Sequence, residues 1–100
     1  MSDKPQTIYD MSNYIFNEAS KAINEDKFDQ AAAMYGNLTD LLPAVAGAYM
    51  QRGRCHWEMH RWEEALKDFE VAYRINPDDA NMAWTLALMR LQNNNFRNAW

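Results

Sequence analysis

His56 and His60 stand one helical turn apart with Cys55 beside the first, a spacing that could turn two imidazoles and a thiolate toward one metal ion. The sequence holds no further histidine or cysteine to complete a shell. The simpler reading is a packing histidine followed by a turn histidine, and no metal is expected. Glu25-Asp26, Glu63-Glu64 and Asp78-Asp79 resemble paired carboxylates for acid–base work, yet each falls at a break or in the first turn of an expected helix. There a negative charge offsets the partial positive charge of a helix N-terminus. No glycine-rich phosphate loop and no spacing suited to a Ser/His/Asp group accompanies them. The expectation is therefore a non-enzyme without cofactor.

The bulk properties point the same way. One hundred residues suffice for one domain with a modest core and leave little room for a catalytic cleft as well. Four Trp, five Tyr and four Phe against three Gly and three Pro favour a packed, mostly helical chain over disorder. Net charge is −4, and the ten Lys and Arg are scattered from Lys4 to Arg97 without a basic block, so nucleic acid is not an expected partner. Residues Met1 to Asp10 lack the apolar run of a signal peptide, and no stretch approaches the roughly 18 to 20 apolar residues that span a bilayer. No membrane partner and a cytoplasmic location are expected. Cys55 is the sole cysteine, which excludes an intrachain disulfide and is compatible with a reducing compartment.

The elements that position these residues recur. At a shift of 34 residues Ala31, Ala65 and Ala99 coincide, as do Phe28, Trp62 and Phe96, Tyr35 and Phe69, Pro43 and Pro77, and the small series Ala19, Gly53 and Ala87. Each unit holds an apolar-periodic segment, a polar break, a second such segment and a proline: two antiparallel helices and a stop. First helices are predicted near 12–25, 46–59 and 80–93, second helices near 28–41 and 62–75, and a third second helix from Phe96. The breaks are Glu25 to Lys27, His60-Arg61 and Asn93 to Asn95. The small residues permit close helix packing, the aromatics fill the core, and Pro43 and Pro77 end the second helices. Residues 1–11 form an N-terminal segment, followed by repeats over 12–45, 46–79 and a truncated 80–100.

The series Tyr49, Gly53, Trp62, Ala65, Phe69, Ala72 and Pro77 resembles the tetratricopeptide repeat. That resemblance implies an all-α fold, a right-handed α-α superhelix or solenoid of antiparallel helical hairpins, whose first helices line a concave groove that binds peptide segments of other proteins. Glu18 and Arg52 replace a family leucine at equivalent places, and a Glu18–Arg52 pair is expected across the hairpin interface. His56 stands where the family commonly has an aromatic.

The resemblance assigns the inward positions of the first helices to three rows: Phe16, Met50 and Trp84; Ser20, Arg54 and Leu88; Ile23, Trp57 and Leu91. They describe a mostly apolar groove floor suited to a protein or peptide ligand, an apolar or amphipathic helix or strand, with Arg54 receiving a carboxylate or backbone oxygen. The competing reading is that these side chains are ordinary packing between helices, or are covered by Ile8, Tyr9 and Met11 of the N-terminal segment. Some members of the family grip the terminal carboxylate of a heat-shock protein with a clamp of Lys, Asn and Arg. Here Phe16, Ser20, Gln51, Asn81 and Thr85 hold the corresponding places, none cationic, which disfavours that mode.

The third unit ends at Trp100, five residues into its expected second helix. Solenoids close with a polar-faced cap, so Trp84, Leu86, Leu88, Met89, Leu91 and Trp100 are expected to lack cover. The sequence is then part of a longer protein, or copies associate through Leu86, Met89, Phe96 and Trp100 as a homo-oligomer. Leu91 to Trp100 is similar to the end of repeat arrays that precede a bacterial glycosyltransferase or similar domain, which would make this a substrate-presenting or dimerising module. A small secretion-type chaperone is the remaining alternative.

Overall fold

The computed structural model describes the backbone of residues 7–98, and their side chains except at 9, 81 and 92–98. Five helices follow in order: α1 Ile8–Asn24, α2 Phe28–Leu41, α3 Ala46–Glu58, α4 Trp62–Ile75 and α5 Ala80–Asn98. The principal packing is between consecutive helices, and the molecule extends over 58 × 30 × 19 Å. That is the staggered stacking of a short solenoid.

The two hairpin turns are built alike. Asp26 and His60 adopt φ of 60° and 62°. In the first turn the Lys27 N–H donates to Ala22 O at 2.8 Å and the Asp26 N–H to Ile23 O at 2.9 Å; Arg61 to His56 O and His60 to Trp57 O repeat this at 2.8 and 3.0 Å. This paired closure satisfies the last carbonyls of α1 and α3 and reverses the chain into the return helix. The second helices stop before proline, at Leu42 (φ −133°, ψ 77°) and Asn76 (φ −130°, ψ 75°), both outside the helical region that a following proline disfavours.

Two helix bounds differ from the sequence expectation. α1 begins at Ile8, ahead of residue 12, because the Thr7 hydroxyl accepts a bond from the Asp10 N–H at 3.1 Å and caps the helix. Residues 8–11 are thus part of α1, with Ile8 and Met11 exposed, and do not fold back over the groove. Tyr9's side chain lies outside the described residues. The break expected at Asn93 to Asn95 is also absent, since α5 runs without interruption to Asn98. Asn94 is the counterpart of Asp26 and His60. A left-handed residue costs about 1–2 kcal/mol, offset in the first two turns by return helices of 14 residues each. Asn94 keeps helical backbone within α5.

Two buried clusters fill the stack. One joins α1, α2 and α3 through Ala19, Ala22, Ala31, Tyr35, Leu38, Ala48 and Cys55; the other joins α4 and α5 through Ala65, Phe69, Ala72, Met82 and Leu86, with Tyr49, Met50 and Trp57 of α3 packed against it. Phe16 meets the Tyr35 ring edge-on with centroids 5.3 Å apart, and Trp57 meets Trp62 likewise at 4.5 Å. Ala19, Ala31 and Ala65 are fully buried, as the repeat implies. Ala87, the third member of the Ala19 series, is exposed, because no return helix is described against α5.

Gly53 marks the tightest approach. A Cβ there would lie 3.2 Å from Ala65 O, from Asp68 Cβ and from the Phe69 ring. A β-branched side chain cannot enter without parting α3 from α4. Gly53→Val is expected to lower unfolding free energy by about 3 kcal/mol, the upper range for overpacking, as read by urea denaturation.

Candidate functional site

α1 and α3 are the parallel first helices of successive hairpins, and a crevice opens between them over α2. Its larger cavity, about 450 Å³, is lined by Phe16, Ser20, Ile23, Asn24 and Asp26 from the first helix and turn, by Phe28 and Tyr35 from α2, and by Gln51, Arg54, Cys55 and Glu58 from α3. A smaller one of about 210 Å³, lined by Ser12, Asn13, Phe16, Leu38, Leu42, Val45 and Ala48, lies on the other side of Phe16. The Phe16 ring reaches across to α3, its tip 3.9 Å from where a Gly47 Cβ would stand, and divides the crevice in two.

Four of the predicted groove residues, Phe16, Ser20, Ile23 and Arg54, therefore share one cavity. Met50 and Trp57 are half-buried against the α3–α5 cluster instead. Trp84, Leu88 and Leu91 are 67, 42 and 58% exposed and, spaced by four and three residues, lie on one face of α5. The floor is not mostly apolar, as the sequence suggested: Asp26, Arg54 and Glu58 bring charge into the larger cavity. Those positions sit near the helix C-termini, where apolar periodicity gives way to turn chemistry. Two surfaces assigned to self-association also differ. Leu86 is 4% exposed and Met89 half-buried, both held against α4 by the core cluster, because they sit on the opposite face of α5 from Trp84. The side chain of Phe96 and the whole of Trp100 lie outside the described residues.

Tyr35 and Cys55 close the cavity floor. Burial pushes the Tyr35 phenol up from its ordinary value, opposed in part by a hydrogen bond with Ser20. Burial likewise raises the Cys55 thiol, 1% exposed, so it stays protonated and unreactive near neutral pH.

On the opposite side of α3, Arg52 binds Asp68 of α4 through two bonds, Nε to Oδ2 at 2.9 Å and Nη2 to Oδ1 at 2.7 Å, and reaches Thr39 Oγ1 of α2 at 3.4 Å. This corrects the expected Glu18–Arg52 pair. Glu18 instead meets Lys21 on its own helix at 3.3 Å. The reason is local: Arg52 is drawn into its own hairpin by Asp68, whereas the residue equivalent to Asp68 in the first unit is Met34. The bond with Asp68 stabilises the Arg52 cation further, raising its pKa. His56 joins the same cluster, Nδ1 3.4 Å from Glu64 Oε2 and Nε2 3.8 Å from Asp68 Oδ2, while His60 leaves it to meet the Trp62 ring at 5.0 Å. The two histidines thus meet different neighbours, one within α3 and the other in the turn that follows it. Among the described residues no group of three or more His, Cys, Asp or Glu could hold a metal ion, and no helix is long and apolar enough to cross a membrane.

Stacked hairpins with an open crevice are the architecture of a class, the protein–protein interaction module. The profile of the tetratricopeptide repeat matches residues 16–80 and again 56–99, and the chain belongs to that family. It is 35% identical over 63 residues to the tetratricopeptide repeat and J domain-containing co-chaperone DNJ1 of Cryptococcus neoformans, covering 63% of this chain and 12% of that protein. It is 30% identical over 61 residues to Hsc70-interacting proteins 1 and 2 of Drosophila melanogaster, covering 61% of this chain and 16% of each relative. The chain thus corresponds to a small part of these relatives' length. In fold it is similar to the Sgt2 TPR domain from Aspergillus fumigatus, with a TM-score of 0.76, 20% identity, and coverage of 88% of this chain and 58% of that one.

Two outcomes are expected. Arg52→Met leaves the Asp68 carboxylate buried without its main partner and costs about 2 kcal/mol, less than the roughly 3–5 kcal/mol of a fully buried pair because the guanidinium is partly in water. Arg52→Met with Asp68→Leu regains most of it in chemical denaturation. Iodoacetamide at pH 8 is expected to alkylate Cys55 at least about tenfold more slowly in the folded chain than in urea, followed by mass spectrometry.

Proposed function

We propose that this chain binds an apolar or amphipathic segment of a partner protein along its concave face. The observation that carries the reading is the α1–α3 crevice, about 450 Å³ in its larger cavity, with Phe16, Ile23 and Phe28 as apolar wall and Ser20 and Arg54 as polar rim. A cavity of this size accepts bulky anchors. Trp84, Leu88 and Leu91 extend the same row pattern onto α5 as exposed apolar surface, and Trp is a frequent binding anchor. Arg54 has no ion pair among the described residues and is free to meet a ligand oxygen.

The printed names of the relatives, a co-chaperone and two Hsc70-interacting proteins, support a partner within chaperone machinery. A clamp on a terminal carboxylate is disfavoured, since Phe16, Ser20, Gln51 and Thr85 supply no cation where such a clamp would stand. The contact then falls on an internal segment of the partner.

Isothermal titration of the chain with purified Hsc70 tests both parts. Ser20 is exposed at the cavity, so Ser20→Trp fills the space over Tyr35 and Cys55 from the rim, and Trp84→Ala removes an exposed anchor. Each is expected to weaken binding at least about tenfold, a difference of roughly 1.4 kcal/mol, with circular dichroism unchanged. Binding that survives both variants would sink the concave-face reading; the absence of any Hsc70 binding would remove that partner.

A further inference from the structure

Resting on the concave-face reading, we infer that the crevice takes an amphipathic helix carrying a basic residue and, two turns away on the same face, a large apolar residue. The two cavities differ in character. The smaller has no charged residue in its lining and is walled by Leu38, Leu42 and Val45. The larger contains Asp26 and Glu58 against Arg54 alone. Among the described residues neither Asp26 nor Glu58 takes part in an ion pair.

The backbone adds to the field of the larger cavity. Asp26 follows the end of α1 and Glu58 is the last residue of α3, so the negative ends of two parallel helices lie at this mouth, offset in part by the positive end of α2, which opens at Phe28 in the same lining. The chain as a whole carries −4. A ligand carboxylate approaching Arg54 would face both side-chain carboxylates and both helix ends. A lysine or arginine instead lays its aliphatic stem along Phe16 and Ile23 and presents its charge to Asp26 and Glu58. Arg54 is left to a backbone oxygen.

Spacing selects the ligand's conformation. Asn13 marks the smaller cavity on α1 and Ser20 the larger. Seven residues at about 1.5 Å each separate them, roughly 10 Å. Side chains seven apart on a helix share a face at that distance. In an extended segment, side chains on one face recur near 7 Å and 13 Å, missing it on either side.

The test uses fluorescein-labelled alanine-rich peptides of about 20 residues, long enough to be helical alone. Leucine and lysine are set seven apart in both orders, glutamate replaces the lysine in one control, and the spacing is five in another. Fluorescence anisotropy with the full chain is expected to show the seven-spaced lysine peptide, in one order, binding at least tenfold tighter than either control. Asp26→Asn with Glu58→Gln, both exposed positions, is expected to abolish that preference and leave circular dichroism unchanged. Equal binding of the glutamate or five-spaced peptide, still blocked by Ser20→Trp, overturns this inference and spares the concave-face reading. Binding unaffected by Ser20→Trp overturns both, and no binding by any peptide overturns the inference.

Discussion

Gly53 packed against Ala65, Asp68 and Phe69 is the contact on which the rest depends. Helix axes normally lie 8–10 Å apart according to the side chains between them, and glycine facing alanine sets the near end of that range. With α3 and α4 so close, the Arg52 guanidinium spans to Asp68 with two short bonds, and Phe69 is removed from water completely. Gly36 lies on the other side, where a Cβ would make only ordinary contact with Arg52 Nη1 at 3.6 Å, so the constraint rests on Gly53. One small residue thus admits a polar tie that holds three helices.

The architecture was legible in the sequence because its determinants are steric and recur. Alanine, aromatic and proline positions at a spacing of 34 located both hairpins and the ends of α2 and α4. What recurrence could not reveal were features decided by neighbours. Arg52 and Glu18 occupy equivalent places, yet one finds Asp68 and the other has Met34 opposite, so equal register led to unequal chemistry. Asn94 is, after glycine, among the residue types that tolerate left-handed backbone, but residue type alone does not make a turn, and α5 passes through it. The Thr7 cap was missed for a different reason. It lies outside the repeat, and its signal is a single hydroxyl three residues from the amide that it satisfies.

Of the candidate site, the inward rows were readable and their environments were not. The family resemblance placed Phe16, Ser20, Ile23 and Arg54 together by assigning the inward positions of the first helices, which helical periodicity then carries along each helix. Whether a given inward residue is open or covered depends on the next helix in the stack. Met50 and Trp57 have α4 and α5 nearby and are partly enclosed, whereas Trp84, Leu88 and Leu91 keep much of their surface in water. Leu86 was taken for uncovered surface on the premise that an unfinished repeat exposes its whole inner helix. In fact one side of α5 is fully engaged by α4, and only the remainder is bare.

Stacking mainly between consecutive helices also governs how this molecule comes apart. Among the described residues no distant segment clasps the ends, so each helix is retained by its neighbours in the stack, α5 chiefly by α4 and by the α3 side chains of their shared cluster. Opening is then graded along the axis, with release of α5 leaving the Gly53 contact shut. The exposed face of Trp84 and Leu88 belongs to the element that is easiest to release. A partner seated there would tighten the weakest joint of the stack, so that binding and the cooperativity of unfolding become linked quantities.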